Sequence, residues 1–311
     1  MKKIYLLSLL SILIFVFQLA FVTINAQNDF ILKNQENLTF DFTINNQINP
    51  YTEINFGDST YLDSIIVQIM EEHHVPGAST YIFRDNQILW NRSYGYADIK
   101  QNKKVTDSTT FITASISKVF TATALMQLWE DGLFELDDNI NNYLPPELQV
   151  VNPDYPDDAI TFRHLLTHTS SIAYDWPLTA SLYCIGDCPT PLESFLIDYL
   201  MPGGKYYNRG PFISWAPGTK WEYGNEDIAL LGYLVEVLSD TSFEDYCQQN
   251  IFIPLGMNET SFFLSGMDNN NIALPYYEYS GGEHRTDGHV GFPVYPPWGA
   301  ILRPLRETQP N

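Results

Sequence analysis

The stretch Ser115–Glu130 restricts this chain more than any other, because it combines an apolar helix with two reactive side chains in its first turn. Val119, Ala122, Met126 and Trp129 recur at spacings of three and four, which marks one helical face. Phe120, Leu125 and Leu128 widen the apolar surface, so the helix is expected to be well buried. Gly132 supplies the stop. The first turn reads Ser115-Ile116-Ser117-Lys118, the one Ser-x-x-Lys in the sequence.

Residues i and i+3 share a helix face, so the Lys118 amine is placed beside the Ser115 hydroxyl. A lysine withdrawn from water loses proton affinity and becomes a base for a serine nucleophile. The helix N-terminus favours a developing alkoxide, and the Ser115 N–H is oriented as one half of an oxyanion hole. The plain alternative is that Ser115 is an N-cap. A second element, Tyr223-Gly224-Asn225, precedes an amphipathic helix and follows Ala216-Pro217-Gly218-Thr219. A tyrosine beside a lysine shuttles protons, and an asparagine amide can hold both the lysine and a substrate carbonyl. Tyr206-Tyr207-Asn208 has the same spacing but lies in a Pro/Gly-rich loop, where a surface aromatic is the simpler reading.

The rest of the chain sets the frame. Its 311 residues suffice for one large domain or two closely packed ones. Lys2 and Lys3 followed by an apolar run from Ile4 to Val22, with Ala26 as a small residue for cleavage, predict an export signal over residues 1–26. That run is long enough for an uncleaved membrane anchor to be the alternative. Residues 27–55 are Asn-rich and read as an N-terminal arm, and residues 56–311 as the folded domain. A net charge of −21 disfavours nucleic acid and anionic membranes as partners, and no obligate membrane partner is implied. The expected partner is a small-molecule or peptide substrate, with the oligomeric state left open.

A helix is predicted from about Ser59, ended by Pro76-Gly77, followed by a hairpin of Ala78–Arg84 and Ile88–Tyr94 about Asp85-Asn86. Further helices are predicted over Asn225–Leu238, with Ile228, Leu230, Leu231, Leu234 and Val237 as its apolar face, and over Ser242–Gln249. Cys184 and Cys188 are placed for a short disulfide in an oxidising compartment, leaving Cys247 as a buried thiol. His164 and His168 are spaced i, i+4 as in zinc-peptidase helices, but Leu165 stands where such helices need a glutamate, so they read as structural.

Taken in order, these segments resemble the serine β-lactamase and penicillin-binding-protein family, in its class C and esterase-like branch. The resemblance rests on Val75-Pro76-Gly77, Phe111 to Lys118, Leu133 to Pro145, Pro254-Leu255-Gly256-Met257 and Ile160 to Ser170, with Ser171 where glycine is usual. It covers about residues 60–300. It implies an α/β fold of α+β type, with an antiparallel sheet flanked by helices beside a mainly helical region. It further implies Ser115 as the acylated nucleophile, Lys118 as its base partner, Tyr223 in proton transfer and Asn225 in substrate positioning, with no metal or organic cofactor.

The family also carries a Lys-Thr-Gly or His-x-Gly motif on a late strand. His289-Val290-Gly291 fits that pattern but precedes Tyr295-Pro296-Pro297-Trp298-Gly299, which resembles a turn that comes before the motif. The chain is therefore expected to be truncated relative to the family, with its late strands missing; in the alternative, His289 substitutes. The expected function is a secreted or periplasmic serine hydrolase acting through an acyl-enzyme on an ester, a β-lactam or a D-Ala-type peptide. The alternative is a non-catalytic penicillin-binding-like module or an inactive truncated product.

Overall fold

The computed structural model describes residues 60–302, apart from 86, 183, 188–189, 266, 280–282, 287–289 and 292–300. The expected signal segment, the N-terminal arm, the Cys184–Cys188 pairing and His289 fall wholly or partly outside the described residues. The chain divides at Ile69/Met70, and the described part of the first unit is the start of helix α1 (Thr60–Glu72). His74 adopts a left-handed φ of 51° after that helix, and Pro76-Gly77 leads into the first strand.

The hairpin forms where its turn pair predicts. Strand β1 (Gly77–Arg84) pairs antiparallel with β2 (Gln87–Asp98), with a bulge at Ile82/Phe83, and β2 pairs with the short β3 (Lys103–Lys104). β2 runs four residues further than its alternation suggests, and Gly95 explains how. At φ 66° its missing side chain admits Pro76, whose carbonyl oxygen would stand 2.1 Å from a Cβ placed there. Among the described residues, three two-stranded antiparallel pairs complete the sheet structure: β4 (Phe111–Ile112) with β9 (Ile301–Leu302), β5 (Cys184–Ile185) with β8 (Val290–Gly291), and β6 (Tyr277–Tyr279) with β7 (Glu283–Arg285).

The main core is helical. It is built from α2 (Lys118–Glu130), α3 (Phe162–Leu166), α4 (Trp176–Ser181), α5 (Leu192–Leu200), α6 (Asn225–Ser239) and α7 (Phe243–Cys247). Helix α6 is the hub, packing against α2, α3, α5 and α7, and every residue from Asn225 to Val235 is buried. Val237, expected on the apolar face, is instead 37% exposed, while its neighbour Leu238 packs against the core. The expected Ser242–Gln249 helix continues as a π-helix over Gln248–Phe252. Cys247 is buried, and the apolar surroundings push its thiol far above the ordinary range.

Two expectations about α2 need correction. The regular α-helix begins at Lys118, preceded by a 3-10 turn over Ala114–Ser117. Its fully buried stripe is Thr121, Ala124, Leu125 and Leu128, whereas Val119, Ala122, Met126 and Trp129 are only partly buried. The spacing is helical in either case. A helix apolar nearly all round offers several stripes of the right period, and the neighbours choose among them.

Candidate active site

Ser115 owes its position to a kinked approach. The chain leaves β4 and enters the 3-10 turn at Ala114, which takes φ 45°, with Ser115 as its second residue. An alanine in the left-handed region carries backbone strain, which surrounding contacts must hold in place. Ser117 is fully buried beneath it and exchanges a hydrogen bond with Thr113 at 3.2 Å. Ser115 itself stays half-buried, with its hydroxyl facing the site.

The structure brings three of the four predicted site residues into contact. Lys118 Nζ lies 3.1 Å from Ser115 Oγ, and the Tyr223 hydroxyl donates to the same oxygen at 2.8 Å. Lys118 Nζ also stands 5.1 Å from the centre of the Tyr223 ring. Withdrawal from water brings the Lys118 amine down to about 7, against the opposing pull of Glu226. Burial pushes the Tyr223 phenol up, while its bond to Ser115 pulls the other way, so the phenol is neutral at rest. Asn225, the fourth, opens α6 and is buried, and its Oδ1 has no hydrogen-bond partner among the described residues. The rival Tyr206 lies in the turn expected for it, but its ring is partly buried, packing beside Phe195 against the main core.

Tyr223 is held by the turn that follows α3. His168 lies there at φ 55°, with its ring 4.9 Å from that of Tyr223. Its carbonyl accepts from Glu222 N at 2.9 Å, and the Thr169 carbonyl accepts from Gly218 N at 2.7 Å. Gly218 has φ 83°, and a Cβ there would meet His164 Nε2 at 2.7 Å, so the segment docks only because this residue is glycine. His164 serves locally: its Nδ1 accepts from Thr161 N at 3.3 Å while the Thr161 hydroxyl accepts from His164 N, a capping box for α3. His164 is thus engaged in the cap of α3, and His168 in contacts with Tyr223 and Asp227. Ser171 takes φ 68°, which explains why glycine is the usual residue in such a turn; here its hydroxyl accepts from buried Asn152 at 2.8 Å.

Beneath this surface lies an acidic pair absent from the predicted set. Asp227 bonds His168 Nδ1 at 3.1 Å and accepts from Ser170 at 2.5 Å. Glu226 is 1% exposed, and neither of its carboxyl oxygens has a side-chain or backbone hydrogen bond of good geometry among the described residues. Burial pushes its carboxyl up to about 8, and neighbouring Asp227 adds to that, while the Lys118 charge opposes it. Two adjacent acids leading a mainly apolar helix were the available signal. A helix buried on all sides must bury them as well, and its N-terminus is where acids are least costly. Among the described residues no group of three or more His, Cys, Asp and Glu is placed to hold a metal, and no helix is long and apolar enough to cross a membrane.

The fold is of the β-lactamase/transpeptidase type. Residues 62–302 match the Beta-lactamase family model, and the chain belongs to that family. It is 28% identical over 217 residues to Protein flp of Staphylococcus aureus (strain NCTC 8325 / PS 47), covering 69% of this chain and 40% of that protein. It is also 28% identical to Penicillin-binding protein 4* of Bacillus subtilis (strain 168), covering 70% of this chain and 45% of that protein. The match thus spans less than half the length of these curated relatives. Among solved structures, the octameric penicillin-binding protein homologue from Pyrococcus abyssi superposes with a TM-score of 0.62 at 27% identity, over 79% of this chain and 54% of that one. The hydrolase EstCE1, described as having promiscuous acyltransferase activity, gives a TM-score of 0.64 over 79% of this chain and 69% of that one; at 20% identity it speaks for the fold alone.

Proposed function

We propose that this chain is an exported serine hydrolase that works through an acyl-enzyme on an ester, a β-lactam or a D-Ala-type peptide. The observation that carries the reading is the convergence of Lys118 Nζ and the Tyr223 hydroxyl on Ser115 Oγ, at 3.1 and 2.8 Å. Near neutral pH the lowered Lys118 amine is available to take the Ser115 proton. The freed oxygen adds to the substrate carbonyl, and the resulting oxyanion is received at the head of the 3-10 turn. The proton then passes through Tyr223 to the departing oxygen or nitrogen, leaving an acylated Ser115. Water adds to that ester with its proton taken by the same pair, and Ser115 is regenerated. The Asn225 amide, at the entrance of α6, is suited to orient the substrate carbonyl. Lys2, Lys3 and the apolar run that follows support export.

Intact mass after incubation with a β-lactam or a fluorophosphonate tests this directly. A single adduct that disappears in Ser115→Ala supports the acyl-enzyme. Folded chain without an adduct would leave a non-catalytic, penicillin-binding-like module as the better account.

A further inference from the structure

Five tryptophans lie in the described residues, and the two exposed ones both border the Ser115 site. Trp221 is 62% exposed and Trp176 is 47% exposed, whereas Trp90 is buried and Trp129 and Trp215 are partly buried. Trp221 has its ring centre 6.5 Å from that of Tyr223, whose hydroxyl touches Ser115. Tyr174 stands edge-on to the same ring at 6.5 Å, and Trp176 continues from Tyr174 at 6.3 Å. The aromatic surface therefore begins at the Tyr223 ring, whose hydroxyl touches the nucleophile, and continues through Trp221 and through Tyr174 to Trp176.

This surface is held in place by its supports. Trp221 sits between Gly218 and Glu222, both tied to the His168 turn, and the Thr219 hydroxyl closes its own turn on the Ala216 carbonyl at 2.6 Å. Trp176 starts α4 directly after Asp175, which caps that helix through Leu178 N at 2.9 Å and pairs with Arg209. The nearby cations are engaged locally: Arg209 with Asp175, Lys220 over the Trp215 ring at 5.1 Å, and Lys118, 5.1 Å from the Tyr223 ring centre, at Ser115 Oγ. What the wall offers an incoming molecule is therefore apolar ring surface, preorganised and next to the reacting atom.

We infer that Trp221 and Trp176, together with Tyr174 and the Tyr223 ring, form a substrate subsite that selects an uncharged aromatic group attached to the scissile carbonyl or to its leaving atom. This rests on the acyl-transfer reading above and narrows it to one substrate class. A ring laid on Trp221 would bury apolar surface and gain ring–ring contact while its carbonyl reaches Ser115.

The test uses two thioester series with thiol release as the readout. The first compares phenylacetyl with propanoyl on one S-methyl leaving group; the second compares S-benzyl with S-ethyl thioacetate. The expected result is a preference of about tenfold or more for the aromatic member in at least one series, consistent with ring–ring contact and apolar burial. That preference should collapse toward unity in Trp221→Ala or Trp176→Ala and persist in Leu255→Ala, a control at an exposed site away from the wall. Preferences near unity in both series of the native chain, or ratios that both tryptophan variants leave intact, would overturn it. Should no thioester be turned over, the acyl-transfer reading fails separately. The wall is then read by saturation-transfer NMR with benzyl acetate on Ser115→Ala. Transfer that disappears when Trp221→Ala is added sustains the subsite, and absence of transfer sinks it.

Discussion

The Tyr223 hydroxyl and Ser115 Oγ are 108 residues apart in the chain and 2.8 Å apart in the fold. That contact exists because α6, which Tyr223 introduces, packs against α2, which Ser115 introduces. Two helix N-termini meet, and each delivers its leading side chain to one point.

The first prediction follows from that contact. Tyr223→Phe removes one hydroxyl and leaves the ring packing on His168 and Tyr174 intact. The value of kcat/KM should fall about 10²–10⁴-fold, the usual weight of a positioned proton-transfer group. The thermal midpoint should stay within a few degrees, as followed by circular dichroism.

A second prediction concerns pH. With the Lys118 amine lowered to about 7, it is charged and unable to accept a proton below that value, and free to accept one above it. The kcat/KM for an uncharged ester should therefore rise with pH through about 7 and then level off. If Tyr223 were the base, the rise would come far higher, since burial moves that phenol up. A pH–rate profile on the native chain separates the two, and Lys118→Arg should erase the limb along with most of the activity.

Glu226 gives a third prediction, on stability. Its carboxyl is raised from 4.5 to about 8 in the folded chain, so between those values the folded state holds a proton that the unfolded state has lost. Stability relative to a neutral side chain therefore declines as pH rises from about 4.5 to about 8, and the full cost applies above that. Glu226→Gln should stabilise the fold more at pH 8.5 than at pH 5.5, by on the order of a few kcal/mol at the higher pH, and the melting temperature should rise accordingly. Paired thermal scans at the two pH values check it. An equal gain at both would mean that the carboxyl titrates normally.

The fourth concerns the turn behind the site. Asn152 is fully buried and donates to Ser171 Oγ at 2.8 Å and to the Ile213 carbonyl at 3.0 Å. Asn152→Ala should cost about 2–3 kcal/mol by leaving these acceptors unsatisfied. Ser171→Gly loses one bond but relieves the strain of φ 68°, two opposed effects of about 1 kcal/mol each. It should move the denaturation midpoint far less than Asn152→Ala does, and urea titrations of both variants measure the difference.

The sequence by itself determined the covalent neighbours: a serine three residues before a lysine at a helix start, a Tyr-Gly-Asn before another helix, and a hairpin about Asp85-Asn86. These are local patterns, set by helical and strand periods and by turn chemistry, and such patterns stay legible along a chain. Tertiary structure alone decided which stripe of α2 faces inward, because an evenly apolar helix does not fix its own rotation. Only the fold put Glu226 and Asp227 under the site, since their burial comes from the helices gathered around α6. It alone turned His168 into a support for Tyr223, and left Trp176 and Trp221 exposed near it. Those relations join residues tens of positions apart, and packing, which has no period along the sequence, is what sets them.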